Sequence, residues 1–493
     1  MMHRLVVTVA LWSVLLGCAD SSQEARPSVD EDIEVATPSA DQASVITDAE
    51  QAGRLLHTRL DGDPQSLPKV GFNNNGLALP LGDRQFLDSL RTFNPQIIRY
   101  PGGTVGDFWD WKNGWVDTTA LPPKYQSWPR TYPYAPHSLE ALAAFANSLD
   151  ADVLFSLNAY HGTLSSQVEL LRSAQDAGLP IRYVELGNEY YFDQPRYAKR
   201  YSSGEAYGQE MKTWDASVSS TFDSVKVATI ATLTKRGYSD RRSGWNEGVQ
   251  RAMGAREVVS VHPYMYVNQP HVTPAVDTVA FFSIPFQRIN RLRNETYSAP
   301  ELWVTEYNLI GPHTPPVRTT WAHGLSVGAY TMLLAQTQGV SMILAHQMTG
   351  ANPTYRAIET PRWGGQYRVT AYGNALRVVF NAFRRFDKCQ RIVFATHPRA
   401  MEDSASAMSP PTLLGMRLVR PDAEGGFLIN LSAEAQKVSL DSFNSASIFH
   451  YTSYSSRHVL AKQQHTGTIL TERGVAKTNL TAPPYSIVFF EEL

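Results

Sequence analysis

Two glutamates in this sequence each follow a short apolar segment, where a buried strand would end. Glu189 closes the segment Glu185-Leu-Gly-Asn-Glu189, directly after an apolar run that contains Val184. A carboxyl group at the edge of a core is favoured in its neutral form, which a general acid requires. Alternatively, Glu189 caps a helix or pairs with a nearby arginine. A second carboxylate at an equivalent position would decide between these interpretations.

Glu306 provides that second carboxylate, because it closes the segment Leu302-Trp-Val-Thr-Glu306. Two carboxyl groups on opposite sides of a cleft are the minimum equipment for hydrolysis of a glycosidic bond. One must be neutral to protonate the leaving oxygen, and the other must be ionised to attack the anomeric carbon. A separation of about 5–5.5 Å would mean retention and about 6.5–9.5 Å inversion, and the sequence leaves both open.

The elements that must position these glutamates alternate regularly. Apolar runs near 69–73, 97–100, 153–157, 181–186, 225–230, 258–262, 302–306 and 340–344 are separated by amphipathic helical patterns. Eight such repeats predict a (β/α)8 TIM barrel within residues 51–385, whose functional site lies at the C-terminal strand ends. Residues 51–67 could add a strand to this barrel. From residue 386 to 493, short strands without helices predict an antiparallel β-sandwich.

Four motifs at predicted strand ends carry a family resemblance. Arg99-Tyr-Pro-Gly-Gly103, Glu185-Leu-Gly-Asn-Glu189, Val261-His-Pro-Tyr264 and Trp303-Val-Thr-Glu306 occur in this order. Together they resemble the retaining glycoside hydrolases of clan A, the four-seven superfamily, and most closely the family 51 arabinofuranosidases and the heparanase-like family 79. The resemblance covers roughly residues 65–493. It implies that Glu189 is the acid/base, that Glu306 is the nucleophile, and that Asn188 binds the sugar 2-hydroxyl.

Three further residues of these motifs are candidates for the site. We expect Arg99 to hold Glu306 ionised by charge pairing, although a structural ion pair within the barrel is the alternative. Tyr264 could donate a hydrogen bond to Glu306. His262 could line the cleft, and it could equally be a structural strand-end histidine.

Residue type alone suggests several more sugar ligands. Asn158 and Asn74 carry amides suited to sugar hydroxyls, although asparagine also favours turns. Trp109 and Trp111 follow the second strand and could stack on sugar faces; the alternative is a loop that packs on itself. At the end of strand eight, where the clan often places an aromatic residue, His346-Gln347-Met348 stands instead. This departure leaves the sugar undetermined.

Composition narrows the class of protein. The 493 residues include 44 basic and 46 acidic ones, a net charge of −2, so nothing indicates a nucleic-acid partner. No cluster of the type His-x-x-x-His suggests a metal hydrolase, and no metal or cofactor is expected. The two glutamates and the family resemblance imply a retaining glycoside hydrolase that works by double displacement, arabinofuranosidase-like or else a uronidase or endo-acting hydrolase of the same clan. A non-catalytic carbohydrate-binding lipoprotein is the alternative from another class, and the oligomeric state stays open.

The N-terminus has the pattern of an export signal. Arg4 precedes an apolar run from Leu5 to Leu16, and Leu15-Leu16-Gly17-Cys18 resembles a bacterial lipobox. We expect residues 1–17 to be removed and Cys18 to be acylated, which would anchor the exported protein to a bacterial membrane. A plain signal peptide is the alternative. Residues 18–50 are acidic and lack an apolar period, so they are expected to form a disordered tether.

Overall fold

The computed structural model describes residues 55–492, except for 133, 234–236, 269–272, 275–276, 296–298, 353–354, 361–365, 396–411, 444–446, 457 and 461–468. The predicted signal, Cys18 and the tether lie outside the described residues, so lipid anchoring and export stay predictions. None of the helices in the described part of the chain has the length and apolarity that a membrane span requires.

Eight parallel strands form a closed barrel, as predicted. In chain order they are Lys69–Asn73, Ile97–Tyr100, Asp152–Ser156, Tyr183–Glu185, Lys226–Ile230, Val258–Val261, Glu301–Tyr307 and Val340–His346. Each strand pairs with its neighbour in sequence, and the eighth closes the barrel on the first, with His346 opposite Asn73. This order brings the C-terminal ends of strands two, four, six and seven to one face.

Helices surround the barrel and connect its strands. Those of eight or more residues are Arg84–Arg91, Leu139–Ser148, Leu164–Asp176, Gly204–Thr221, Trp245–Met253, Thr278–Asn294, Trp321–Ala335 and Ala371–Arg385. Shorter helical turns are Gly76–Ala78, Gly103–Phe108, Pro123–Tyr125, Trp128–Thr131, Pro195–Arg200 and Asp240–Ser243. Most of the long helices begin at a Ser, Thr or Asp whose side chain accepts a backbone N–H; Ser138, for example, accepts from Ala141.

The second domain is a largely antiparallel sheet of nine strands. They are Leu55–Ser66, Lys388–Ala395, Leu413–Arg420, Ala423–Asn430, Gln436–Ser439, Phe449–Ser455, Leu470–Ala476, Asn479–Ala482 and Ser486–Glu492. Strands from both ends of the sheet contribute to one apolar core, which includes Val438, Leu480, Phe449 and Phe490. The sheet therefore curls over its own core as a sandwich.

The first of these strands corrects a domain assignment made from the sequence. Leu55–Ser66 was expected with the barrel, but it pairs antiparallel with Lys388–Ala395, from His57 opposite Ala395 to Ser66 opposite Lys388. The barrel is closed and offers no free edge to another strand. The chain enters and leaves the barrel on the same side, where the Leu67 N–H donates to the Asp387 carbonyl, so the two flanking strands meet there.

One barrel helix joins the two domains. Every residue of Trp321–Ala335 is buried, the pattern of a helix covered on all sides. Its Trp321 Nε1 donates to the Tyr485 carbonyl over 2.6 Å, and a Cβ at Gly328 would lie 3.5 Å from Ile487 Cδ1. The second domain thus packs on the side of the barrel and leaves the C-terminal strand ends open.

Candidate active site

Glu189 and Glu306 line the same pocket at the C-terminal end of the barrel. One oxygen of each glutamate and one ring nitrogen of His262 lie within 4.8 Å of one another. Glu306 belongs to strand seven, whereas Glu189 follows the end of strand four at Glu185 by four residues. The barrel therefore brings together two carboxylates that are more than a hundred residues apart in sequence.

A tight turn carries Glu189 from the strand to the pocket. Gly187 has φ 103°, and Glu189 itself lies in the left-handed region at φ 49°. A Cβ at position 187 would come within 2.2 Å of the ring of Tyr190, which is fully buried. Glycine is thus required at Gly187 both by the backbone conformation and by the adjacent ring.

Arg99 lies at the centre of the charge network beneath the pocket. Its Nε donates to Glu185 over 2.7 Å, and its Nη1 donates to Glu306 over 2.7 Å. The remaining N–H groups reach Asn73, Ser156 and Asn188 at 2.9–3.4 Å. With both flanking carboxylates buried, the pKa of Arg99 is raised: burial acts against the cation but is outweighed by Glu185 and Glu306. Arg99 is therefore an internal ion-pair partner and a contact of Glu306 at once.

Glu306 is held as a carboxylate. Its Oε2 accepts a 2.7 Å hydrogen bond from the Tyr264 hydroxyl, the contact expected from the sequence. Burial alone would raise the pKa of Glu306, but the charges of His262 and Arg99 and the Tyr264 hydrogen bond hold it below its ordinary value. This side chain is ionised at neutral pH. Its Oε1 accepts a hydrogen bond from Arg99, and its Oε2 accepts one from Tyr264.

His262 connects Glu189 to the same network. Its Nε2 lies 3.0 Å from the Thr305 hydroxyl, which donates its own proton to Glu185 over 2.8 Å. The Thr305 oxygen must therefore accept from His262, so Nε2 carries a proton. Nδ1 of His262 lies 3.0 Å from Glu189 Oε1, within hydrogen-bond distance. Burial opposes the charged form of His262, but Glu306 and Glu189 outweigh it and raise the pKa.

Asn188 is buried beside the acidic pair. Its Oδ1 accepts from Arg99 over 2.9 Å, while its Nδ2 has no hydrogen-bond partner among the described residues. An orphaned buried N–H group calls for an explanation. Asn188 lies beneath the pocket and is not among its lining residues, so its contact with a sugar hydroxyl stays a prediction.

Asn158 and Asn74, expected as sugar ligands, have structural contacts instead. Asn158 Oδ1 accepts from the His161 N–H over 2.9 Å, and its Nδ2 donates to the Trp109 carbonyl over 3.3 Å. Asn74 Oδ1 accepts from the Thr349 N–H over 3.2 Å. Both amides thus fix the backbone of loops, the turn-forming role of asparagine. The neighbouring Asn75 lines the pocket.

Trp109 and Trp111 also differ from the expectation of sugar stacking. Trp109 is 4% exposed and packs edge-on against Tyr100, with ring centroids 5.5 Å apart. Trp111 donates from Nε1 to Ser166 over 3.1 Å on the flank of the barrel. The loop after strand two packs on itself and on the helices, which was the alternative interpretation.

Other aromatic residues form the wall of the pocket. They are Trp128, Tyr191, Phe192, Tyr238, Tyr264, Tyr266 and Tyr355. Trp128 and Tyr238 were not singled out from the sequence, because neither stands at a strand end. His346 also lines the pocket at the end of strand eight; its Nδ1 accepts from Asn73 over 2.8 Å, and burial lowers its pKa to about 4. A neutral imidazole thus occupies the place where an aromatic ring was expected.

Comparison with known proteins identifies the architecture. No protein-family model matches the chain, and no curated relative matches its sequence. The structure is similar to that of the family GH51 α-L-arabinofuranosidase from Thermotoga petrophila RKU-1, with a TM-score of 0.65 and 14% identity over 89% of this chain and 99% of that chain. The α-L-arabinofuranosidase of Thermotoga maritima, solved as an arabinose complex, gives a TM-score of 0.66 and 15% identity over 89% of this chain and 100% of that chain.

The fold is similar to that of the family 51 arabinofuranosidases. A similar match is the 4-O-α-L-rhamnosyl-β-D-glucuronidase of Fusarium oxysporum 12S, with a TM-score of 0.59 and 13% identity over 88% of this chain and 99% of that chain. The resemblance to clan A glycoside hydrolases is thereby confirmed at the level of the fold. Both domains take part in it, since the matches extend over nearly nine-tenths of the chain.

Proposed function

We propose that this chain is a retaining glycoside hydrolase that acts on an oligosaccharide or polysaccharide. The observation that carries this proposal is the approach of Glu189 and Glu306, whose nearest oxygens lie within 4.8 Å across one pocket. Such a separation suits direct attack by one carboxylate, whereas an inverting enzyme needs room for a water molecule between them.

The surroundings of the two glutamates support different roles, Glu306 as the nucleophile and Glu189 as the acid/base. Glu306, kept ionised by Arg99 and Tyr264, attacks the anomeric carbon as the glycosidic C–O bond breaks. Glu189, whose Oε1 lies 3.0 Å from His262 Nδ1, acts as the acid and gives its proton to the leaving oxygen. Glu189 then takes a proton from water as the water displaces Glu306 from the glycosyl-enzyme.

Substitution of the two glutamates tests this proposal. Glu306→Ala should abolish hydrolysis, and Glu189→Ala should lower it strongly for poor leaving groups, in proteins whose circular dichroism matches the wild type. Glu301→Gln is the matched control, because Glu301 lies at the opposite end of strand seven. Undiminished turnover by Glu306→Ala would contradict the assignment of Glu306 as the nucleophile.

The fold leaves the sugar undetermined. The similar structures bear the names of arabinofuranosidases and of a rhamnosyl-glucuronidase, so a neutral furanoside and a uronide are both candidates for this chain. A purely carbohydrate-binding protein is disfavoured, because binding alone does not require two carboxylates this close together in a buried site.

A further inference from the structure

Two arginines line the pocket without a carboxylate partner. Arg242 lies in the short helix Asp240–Ser243 after strand five, and Arg288 lies on the helix Thr278–Asn294 after strand six. The buried Nε of each has no hydrogen-bond partner among the described residues. Among the residues that the structure describes, neither guanidinium forms an ion pair with a carboxylate.

Aromatic rings hold Arg242 in place but do not satisfy its donors. Arg242 is 7% exposed, and its Cζ lies 3.7 Å from the ring centroid of Tyr238 and 4.5 Å from that of Phe192. Ring faces attract a cation but accept few of its hydrogen bonds. A buried guanidinium has five N–H donors and is always charged, so a partner is needed for it.

Arg288 acts on the same part of the pocket. Its Cζ lies 5.9 Å from the ring centroid of Tyr266, a residue that also lines the pocket. Arg242 lines this same pocket, so both arginines border the space that one bound group would fill.

The other charges nearby are already matched. Arg99 is paired with Glu185 and Glu306, and Glu189 lies 3.0 Å from a ring nitrogen of His262. Arg241, next in sequence to Arg242, lies 3.8 Å from Asp193 and donates to several backbone carbonyls, including that of Tyr190. Arg241 is thus structural, whereas Arg242 and Arg288 leave the pocket with uncompensated positive charge.

We infer that the pocket takes a sugar bearing an oxyanion, a uronate carboxylate or a sulfate ester, and that Arg242 and Arg288 bind that group. The planar fork of an arginine matches carboxylate and sulfate oxygens, with two parallel N–H···O bonds. This inference rests on the proposed function, since it treats the pocket as a glycoside site. It assigns an acidic glycan as the substrate class, in preference to a neutral arabinofuranoside.

A binding experiment tests the inference without relying on turnover. The full chain carrying Glu306→Gln is applied to a glycan array that holds neutral, uronate-bearing and sulfated oligosaccharides. Binding to uronate-bearing or to sulfated glycans is expected, and the class that binds identifies the source of the oxyanion. Binding to neutral glycans alone, or to none of the three classes, would overturn the inference.

Variants then assign the group to the arginines. Arg242→Gln and Arg288→Gln, each added to Glu306→Gln, should weaken binding of the acidic glycan by about tenfold to a hundredfold, the usual effect of losing a charged hydrogen bond. Arg242→Lys should recover part of the loss if the variant protein folds. Arg251→Gln makes the same charge change on an exposed helix face and should have no effect. Equal affinity in all variants would contradict the role of both arginines.

Hydrolysis separates this inference from the proposed function. Wild-type protein is assayed on pairs of aryl glycosides. In each pair, C6 is a carboxylate in the acidic member and a hydroxymethyl group in the neutral member. If neutral members are hydrolysed at least as well as acidic ones, the glycosidase proposal stands and the acidic-substrate inference fails. If acidic glycans bind on the array but no glycoside is hydrolysed, the inference stands and the proposed function fails.

Discussion

At the scale of single residues, Arg99 decides the electrostatics of the site. The sequence left open whether this arginine is a structural ion pair or a support for the nucleophile. The structure shows that it contacts Glu185 within the barrel and Glu306 in the pocket with the same guanidinium. Because its five donors are all engaged, it fixes the position of Glu306 as well as its charge.

Removal of the second donor to Glu306 should change both rate and pH dependence. Tyr264→Phe deletes a 2.7 Å hydrogen bond to the carboxylate, so we expect kcat/KM to fall by about tenfold to a hundredfold. The pKa of Glu306, held below its ordinary value in the wild type, should rise toward its ordinary range. Because Glu306 is active only when ionised, a raised pKa moves the loss of activity at acid pH to a higher pH.

The matched control is Tyr266→Phe, two residues further along. Tyr266 also lines the pocket, but the hydroxyl that donates to Glu306 is that of Tyr264. Tyr266→Phe therefore removes a pocket hydroxyl without removing that hydrogen bond. Profiles of kcat/KM against pH for the two variants check the prediction. Identical acid limbs in Tyr264→Phe and Tyr266→Phe would contradict it.

Residue type was a good guide only where a motif fixed the position. Arg99, Tyr264, Glu189 and Glu306 lie at or just beyond the C-terminal ends of strands, within recognisable motifs, and the structure brings all four together. Asn158, Asn74, Trp109 and Trp111 were chosen because amides and rings suit sugars, and their side chains are engaged in loop packing instead. Arg242 and Arg288 stand on helices after strands five and six, where no sequence pattern distinguishes them from surface arginines.

At the scale of elements, the turn after strand four positions the acid/base candidate. The strand itself ends at Glu185, earlier than the apolar run suggested, and Gly187 reverses the backbone before Glu189. Tyr190 fills the space beneath this turn, with Tyr201 5.3 Å away between ring centroids. The ring cannot move aside without disturbing a packed cluster of tyrosines.

Gly187→Ala should therefore destabilise the protein and displace Glu189. The added methyl group would meet the Tyr190 ring at 2.2 Å, so we expect a loss of about 1–3 kcal/mol from overpacking in addition to the cost of a positive φ. Gly178→Ala isolates the second cost, because Gly178 has φ 95° but open space around its Cβ position. Urea unfolding measures the loss of stability, and kcat measures the displacement of Glu189. Equal losses of stability in the two variants would contradict the predicted clash with Tyr190.

At the scale of the whole molecule, the sequence predicted both domains but misplaced one strand. Alternating patterns located all eight barrel strands, since each is a local signal of period and length. The pairing of Leu55–Ser66 with Lys388–Ala395 spans more than three hundred residues. Such a long-range contact has no local signature, so only the closed structure shows that the second domain ties the two ends of the barrel together.

The interface between the domains should contribute directly to stability. Ile487 is fully buried against the helix Trp321–Ala335, and Ile487→Ala should cost about 2–5 kcal/mol. Val475, on another strand of the same domain, is 60% exposed, and Val475→Ala should change stability by no more than about 0.5 kcal/mol. Thermal unfolding followed by circular dichroism makes the comparison, and equal shifts would contradict a packed interface.

The measurement that tests the central claim most directly is the anomeric configuration of the first product. Proton NMR during hydrolysis of a glycoside that the enzyme accepts distinguishes the two anomers before mutarotation equilibrates them. Two successive displacements at Glu306, with Glu189 as acid and then base, predict that the released sugar keeps the configuration of the substrate. A first product of inverted configuration would contradict the double displacement.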